Sequence, residues 1–284
     1  MAAASWKIAG RTIPLADGGL IMGVLNVTPD SFSDGGQFFD TDRALSHALE
    51  MAANGAAIID IGGESTRPGA EEIAEVEELR RVIPVISRLA ARSDVLISID
   101  TSKAVVAREA LDAGAHIIND ITGGRADDGM MALAAERGAG LILMHMQGTP
   151  RTMQNSPTYA DVVAEVREFF RQQYDCAVRS GIDPITLAFD PGIGFGKTLE
   201  HNLALLRDLG QLRIADRPLV VGVSRKSMLG KLVGSSRPAD RLAPTVAFTA
   251  LLRERGADVI RVHDVAPNVG ALRATEALLG RPAV

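Results

Sequence analysis

The chain has a single cysteine, Cys176, in 284 residues, which excludes an internal disulfide and any cysteine-based metal spacing. It falls inside a helical pattern, where a small buried residue is the ordinary role. Basic charge is in deficit: 30 Lys and Arg against 35 Asp and Glu leave a net charge of −5. Non-specific nucleic-acid binding needs a basic face, so that class is excluded. No apolar run approaches the roughly 18 residues of a membrane span. The opening Met-Ala-Ala-Ala-Ser-Trp-Lys lacks a basic segment followed by an apolar core, which predicts no secretory leader and a cytoplasmic protein. No His/Cys/Asp spacing suits zinc, and no nucleophile triad motif is found.

The chain does have a repeated unit. Apolar runs stand at residues 21–25, 57–61, 95–99, 116–118, 140–144, 186–189, 219–223 and 258–262. Runs without alternation read as strands covered on both faces, as in parallel sheets. Helical patterns lie between them, at 41–54, 75–92, 103–113, 159–180 and 199–209, with further apolar helices at 242–255 and 269–279. Gly55, Gly114, Gly181 and Gly256 follow helices and predict left-handed residues before the next strand. Trp6–Ile8 and Arg11–Ile13, either side of Ala9-Gly10, predict a hairpin that plugs the bottom of the fold. Eight β/α units in this length predict a TIM (β/α)8 barrel. An open doubly wound sheet fits less well, since no Gly-x-Gly-x-x-Gly turn is present. The reading is one domain over 1–284, with the hairpin at about 5–15 and the barrel at about 20–280.

In such a barrel the residues just after each strand share one mouth, and chemistry sits there. The first strand delivers Asn26; the second Asp60, Gly62, Gly63 and Glu64; the third Asp100 and Thr101. Asn119 and Asp120 follow the fourth strand, Met144 and His145 the fifth, and Asp190 the sixth. The seventh gives Ser224-Arg225-Lys226 and the eighth Arg261, His263 and Asp264. Taken singly, Asp, Asn and Ser here serve equally as helix caps and turn residues. Glu64 and Asp264 have the alternative role of orienting Arg67 or the loop after the eighth strand. His47, His116 and His201 read as structural, and His145, between Met144 and Met146, as part of a wall. Together Asp100, Asn119 and Asp190 suit a flat, donor-rich heterocycle, since a carboxylate accepts two parallel N–H bonds from a guanidine-like edge. Arg225, Lys226, Arg261 and His263 add cations that, with Asn26, suit a phosphate or diphosphate with Mg²⁺.

These residues lie in motifs that resemble a known family. Met22-Gly-Val-Leu-Asn-Val-Thr-Pro-Asp-Ser-Phe-Ser-Asp-Gly-Gly36, Gly62-Gly-Glu-Ser-Thr-Arg-Pro-Gly69, Ser98-Ile-Asp-Thr101, Asn119-Asp120, Leu143-Met-His-Met-Gln147, Asp190-Pro-Gly-Ile-Gly-Phe-Gly196, Ser224-Arg-Lys226 and Arg261-Val-His-Asp264 closely resemble the dihydropteroate synthases. The likeness runs from about residue 20 to 275 in the same order, and the first two motifs are the most specific.

The resemblance implies a folate-biosynthesis transferase that joins 6-hydroxymethyl-7,8-dihydropterin diphosphate to p-aminobenzoate, releasing diphosphate by an SN1-like displacement. It implies pterin binding by Asp100, Asn119, Asp190 and Lys226. Diphosphate falls to Asn26, Arg67, Arg261 and His263, with Asn26 toward Mg²⁺. The p-aminobenzoate pocket falls to Phe32, Thr66, Arg67, Pro68, Phe195 and Ser224. Asp34, Lys226, Arg261 and His263 are implied as catalytic, Asp34 meeting the developing positive charge. Sulfonamides, which mimic p-aminobenzoate, are expected at the same pocket of a sensitive or a resistant enzyme. A homodimer through barrel helices, with 242–255 and 269–279 as candidates, is also implied. Two other readings share features: a pterin-binding methyltransferase domain, which has no need of the Ser65–Pro68 loop or of Arg261 and His263, and a non-catalytic pterin-binding paralogue.

Overall fold

The computed structural model describes residues 5–28, 37–66 and 69–281. Two antiparallel strands, β1 (Ser5–Ile8) and β2 (Arg11–Pro14), pair through a tight turn at Ala9 and Gly10. Both turn residues have positive φ, 48° and 77°, the conformation that matches the twist of a two-residue hairpin.

Eight parallel strands come next: β3 (Leu20–Asn26), β4 (Ile58–Gly62), β5 (Leu96–Asp100), β6 (Ile117–Asp120), β7 (Gly140–Met144), β8 (Leu187–Asp190), β9 (Val220–Gly222) and β10 (Val259–Val262). They run side by side in the order β8-β7-β6-β5-β4-β3-β10-β9. A bridge from Phe189 to Leu219, with the Phe189 N–H donating to Pro218 O at 2.9 Å, joins β8 to β9 and closes the ring. The fold is the expected TIM barrel with its N-terminal hairpin.

The helices are α1 (Gln37–Ala53), α2 (Glu75–Ala90), α3 (Ala104–Asp112), α4 (Gly129–Arg137), α5 (Val162–Arg179), α6 (Leu199–Arg207), α7 (Ser227–Val233), α8 (Leu242–Glu254) and α9 (Val265–Leu278). Two of them, α7 and α8, stand between β9 and β10. The short helices α4 and α7 go beyond those the sequence pattern marks. Helix α5 begins at Val162, later than its apolar pattern suggests, because the Asp161 carboxylate caps the N–H groups of Val163 and Ala164. Gly55, Gly114, Gly181 and Gly256 all take the positive φ expected of them. Cys176, within α5, is half-buried rather than fully buried.

Although the strands are apolar on both faces, those faces meet different partners. The outward set (Ile21, Leu25, Ile59, Ile61, Ile97, Ile99, Leu141, Leu143, Phe189, Ile260) packs into one large core with the helices. The inward set at the bottom (Leu20, Met22, Ile58, Leu96, Ile117, Ile142, Ala188, Val220, Val259) forms a second core with Trp6, Ile8 and Leu15 of the hairpin segment. The hairpin therefore plugs the barrel floor. Trp6 is completely buried, and its indole N–H donates to Thr186 O at 2.7 Å.

Removing that plug is costly. Trp6→Ala is expected to lower unfolding stability by about 3–5 kcal/mol, the range for deleting a buried large aromatic. Denaturant unfolding checks it; a loss below about 1 kcal/mol would show the floor is sealed without the indole.

Candidate active site at the barrel mouth

Above the floor the inward positions turn from apolar to polar. Along β4 the sequence runs Ile58, Asp60, Gly62; along β5, Leu96, Ser98, Asp100; along β6, Ile117, Asn119; along β8, Ala188, Asp190; along β10, Val259, Arg261. The register places Asn26, Gly62, Asp100 and Asn119 side by side on neighbouring strands. Alternation also separates Asn119 from Asp120. The Asp120 carboxylate turns away and accepts from the N–H of Thr122 and Gly124, so it is a turn residue.

One ionic network holds the centre. The Arg261 guanidinium donates through Nε to Asp60 Oδ2 at 2.6 Å and through Nη2 to Asp100 Oδ2 at 2.7 Å. Asn119 Nδ2 reaches the same Asp60 oxygen at 3.1 Å. Asp60 is fully buried and Asp100 is 9% exposed. The second oxygen of each, and Ser98 Oγ, are buried without a hydrogen-bond partner among the described residues. Burial pushes the Asp100 carboxyl up to about 7, with Arg261 opposing and Asp60 adding to the rise. Burial works against the Arg261 charge, yet Asp60 and Asp100 outweigh it and its pKa is raised.

A second pair lies across the mouth. Asp190 Oδ1 accepts from the Gly192 N–H at 2.7 Å, and burial raises its carboxyl while Lys226 opposes. Burial lowers the Lys226 amine to about 8, against the pull of Asp190. Lys226 donates to Ile193 O and sits 4.6 Å from the centroid of the Phe195 ring. Phe195 in turn borders a patch of Met144, Met146, Met153 and Ile121.

The backbone N–H of His263 donates to Ser224 Oγ, and the ring nitrogen Nδ1 shares a hydrogen bond with it, both at 3.1 Å. Burial, and then the Arg261 charge, lower the imidazole to about 4. His263 is thus a neutral donor or acceptor near neutral pH, not the cation its place after β10 suggests. Arg225 is likewise removed from the group of mouth cations: it is half-exposed and paired with Asp264 through Nε at 2.9 Å. Asp264 accordingly takes the orienting role. Asn26, at the end of β3, and Thr66, beyond β4, are half-buried, while Phe32, Asp34, Arg67 and Pro68 lie outside the described residues.

The structure brings together Asp100, Asn119, Asp190, Lys226 and Arg261 in the barrel's upper layer, with Ser224 and His263 joined at its rim. It adds residues whose part in the site is not readable from the motifs. Asp60, recognisable only as a strand-end residue, is the anchor of Arg261 and Asn119; its period-two alignment with Ser98 and Gly62 is the available signal. Lys103, only 9% exposed, donates to Glu64, to Glu78 Oε2 at 2.7 Å and to Ile73 O at 2.8 Å, tying both ends of the loop that comes after β4. Glu64 pairs with Lys103, while Arg67, the partner expected for it, lies outside the described residues. His145 is a wall residue, as its methionine neighbours suggest: burial lowers its imidazole to about 3, and its ring lies edge-on to Phe169 with centroids 5.0 Å apart.

Known proteins resemble this chain in sequence and in the arrangement of its strands. The profile of the pterin binding enzyme family matches residues 22–263. Dihydropteroate synthase of Escherichia coli (strain K12) is 50% identical over 259 residues, 91% of each chain. The crystal structure of Yersinia pestis dihydropteroate synthase with a sulfonamide drug complex superposes with a TM-score of 0.91 at 47% identity, covering 97% of this chain and 99% of that one. The Xanthomonas albilineans dihydropteroate synthase with 4-aminobenzoic acid also gives 0.91, at 44% identity over 99% of this chain and 100% of the other.

The network makes a signed prediction. Asp60→Asn removes the negative charge that helps raise Asp100 and leaves Arg261 to face one carboxylate, and both changes act downward. The Asp100 carboxyl, followed by NMR titration, should drop below its value of about 7; an unchanged or higher value would mean the two carboxylates do not share the guanidinium.

Proposed function

The chain belongs to the pterin-binding enzyme family, and from that membership and the mouth's geometry we infer a transferase of folate biosynthesis. It condenses 6-hydroxymethyl-7,8-dihydropterin diphosphate with p-aminobenzoate to give 7,8-dihydropteroate and diphosphate. The observation that carries the site reading is the unpartnered, buried oxygen of Asp100 beside the Asn119 amide. An acceptor left open in a closed barrel is costly unless a ligand fills it. The donor-rich edge of a pterin supplies the missing N–H groups, and Asp190 and Lys226 face the ring from the opposite side.

Above the ring, the positive charge of Lys226 and Arg261 and the neutral His263–Ser224 pair suit an anionic leaving group. The C–O bond to the diphosphate breaks with its electron pair on the departing oxygen. The cation left on the methylene is delocalised into the pterin, and the arylamine nitrogen then forms the new C–N bond and loses a proton. Burial keeps water from competing. Phe195 and the methionine patch offer an apolar wall to the aryl ring, and the family likeness assigns Ser224 and Thr66 to the same pocket. That same wall is where we place sulfonamide binding.

Asn26 fits a role toward Mg²⁺. The described residues hold no cluster of three His, Cys, Asp or Glu, and Mg²⁺ held by one amide with substrate oxygens and waters requires none. When bound, the ion would neutralise charge on the diphosphate. The reading also takes the chain as a single cytoplasmic domain that pairs as a homodimer; no helix among the described residues is long and apolar enough to cross a membrane. Leu242 and Leu251 of α8, 41% and 44% exposed, support a helical contact between copies.

Two outcomes test this function. Diphosphate release, followed by a coupled assay, should require the pterin diphosphate and p-aminobenzoate together; release that ignores p-aminobenzoate contradicts the synthase reading. Affinity for the pterin diphosphate should fall as pH rises through about 8, because the Lys226 charge is present below that value and lost above it. The substrate KM measured from neutral to alkaline pH checks this, and a flat profile would remove Lys226 from anion binding.

A further inference from the structure

The segment after β8, Pro191 to Lys197, is held by side chains. Five successive carbonyls each accept from one. Lys197 Nζ donates to Gly192 O at 3.1 Å and to Phe195 O at 3.0 Å. Lys226 donates to Ile193 O, Gln154 to Gly194 O at 2.8 Å, and the Tyr159 hydroxyl to Gly196 O at 2.8 Å. Lys197 is the buried member of this set, 3% exposed, and it alone serves two of the carbonyls. It also reaches across to the end of β7, donating to His145 O at 3.2 Å and meeting His145 Nδ1 at 2.9 Å.

The loop lies hard against that second segment. A Cβ on Gly192 would stand 2.0 Å from His145 O, and one on Gly196 would stand 2.5 Å from Gln147 O, with φ of 63° and 62° at the two glycines. Close approach and left-handed turns leave the carbonyls pointing inward, where they need donors. The Lys197 ammonium supplies those donors. It does so where burial disfavours its charge, lowering its pKa to about 7 against the pull of Asp190. No step of the condensation uses it.

We propose that Lys197 is a positioning residue: by pinning the carbonyls of Gly192, Phe195 and His145 it fixes the Phe195 ring beneath Lys226 and so sets affinity for the aryl co-substrate. Phe195 joins the loop to the apolar patch of Met144, Met146 and Met153, so a displaced loop opens the wall against which an aryl ring packs. The pterin side is anchored separately, through Asp60, Asp100, Asn119 and Arg261 on four other strands. Loss of Lys197 should therefore divide the two substrates.

The proposal rests on the synthase function, and the test keeps the two apart. Steady-state kinetics are run on the full chain as wild type and Lys197→Met, varying each substrate. The KM for p-aminobenzoate should rise about tenfold, since the Phe195 and His145 carbonyls lose their donor while Gly192 O keeps only the Phe195 N–H, and the KM for the pterin diphosphate stays within about twofold. Lys197→Gln, which retains an N–H donor group, should recover part of the loss. An unchanged p-aminobenzoate KM, or both KM values and kcat moving together with thermal stability, overturns the positioning role. If Lys197→Met does not fold, Tyr159→Phe decides: freeing the Gly196 carbonyl must raise the p-aminobenzoate KM selectively, and an unmoved KM overturns the proposal. A wild type that forms no dihydropteroate contradicts the function itself; normal wild-type turnover with unmoved variants contradicts only Lys197.

Discussion

The site depends on one buried cation held between two carboxylates. Arg261 rises from β10 and spans to Asp60 on β4 and Asp100 on β5, strands that stand apart from it in the ring. A lone guanidinium in such a place would be expelled, and two lone carboxylates would take up protons. Joined by their hydrogen bonds they lock three strands' upper ends, and removing one member of such a buried pair costs about 3–5 kcal/mol. The arrangement is also incomplete. One oxygen of Asp60 and one of Asp100 remain without a donor among the described residues, so the site is stable but not satisfied. In the proposed function that residual demand for N–H groups is met by the pterin edge.

The barrel makes this possible by separating its tasks by height. Hairpin and lower inward side chains form a dry floor, and the outward side chains bind the helices. Inward polar groups stand in the two layers above that floor, Asp60 and Ser98 in the lower and Asp100 and Asn119 in the upper, where apolar packing no longer has to hold the strands. Loops then bring the second set of contacts, and here lysine is used as a fastener. Lys103 joins both ends of the segment after β4, and Lys197 the segment after β8 to the end of β7. With five lysines in the chain, two buried as fasteners and a third facing Asp190 is an uneven use of the residue type. An ammonium offers three rotatable donors to converging carbonyls, which a planar guanidinium cannot match.

Much of this is legible in the residues. The eight apolar runs correspond strand for strand to β3–β10, and Trp6 and Ile8 plug the floor as the alternating hairpin pattern implies. Asp100, Asn119 and Asp190 are legible as a set because each ends an apolar run on the inward phase. Asp60 sits on that same phase one layer lower, but a carboxylate inside a run of isoleucines gives no sign of its partner 201 positions away. Pair contacts across a closed ring depend on stagger between strands, which the sequence does not print. The charge state of His263 escapes a local reading for a similar reason: its neutrality comes from burial and from Arg261, neither visible in its neighbours. Lys103 and Lys197 sit just past strand ends among turn residues, and only packing reveals that their amines point inward. Helix α4 is a nine-residue stretch beginning at Gly129, too short for its period to stand out.

The central claim is that Asp100, held by Arg261, presents its open oxygen to the guanidine-like edge of a pterin. Calorimetric titration of 6-hydroxymethylpterin into wild type and Asp100→Asn measures this with no turnover required. Affinity should fall about a hundredfold or more when the charged, two-oxygen acceptor becomes an amide, which keeps one acceptor oxygen and puts a donor in place of the other. Equal affinity for the two proteins would contradict it.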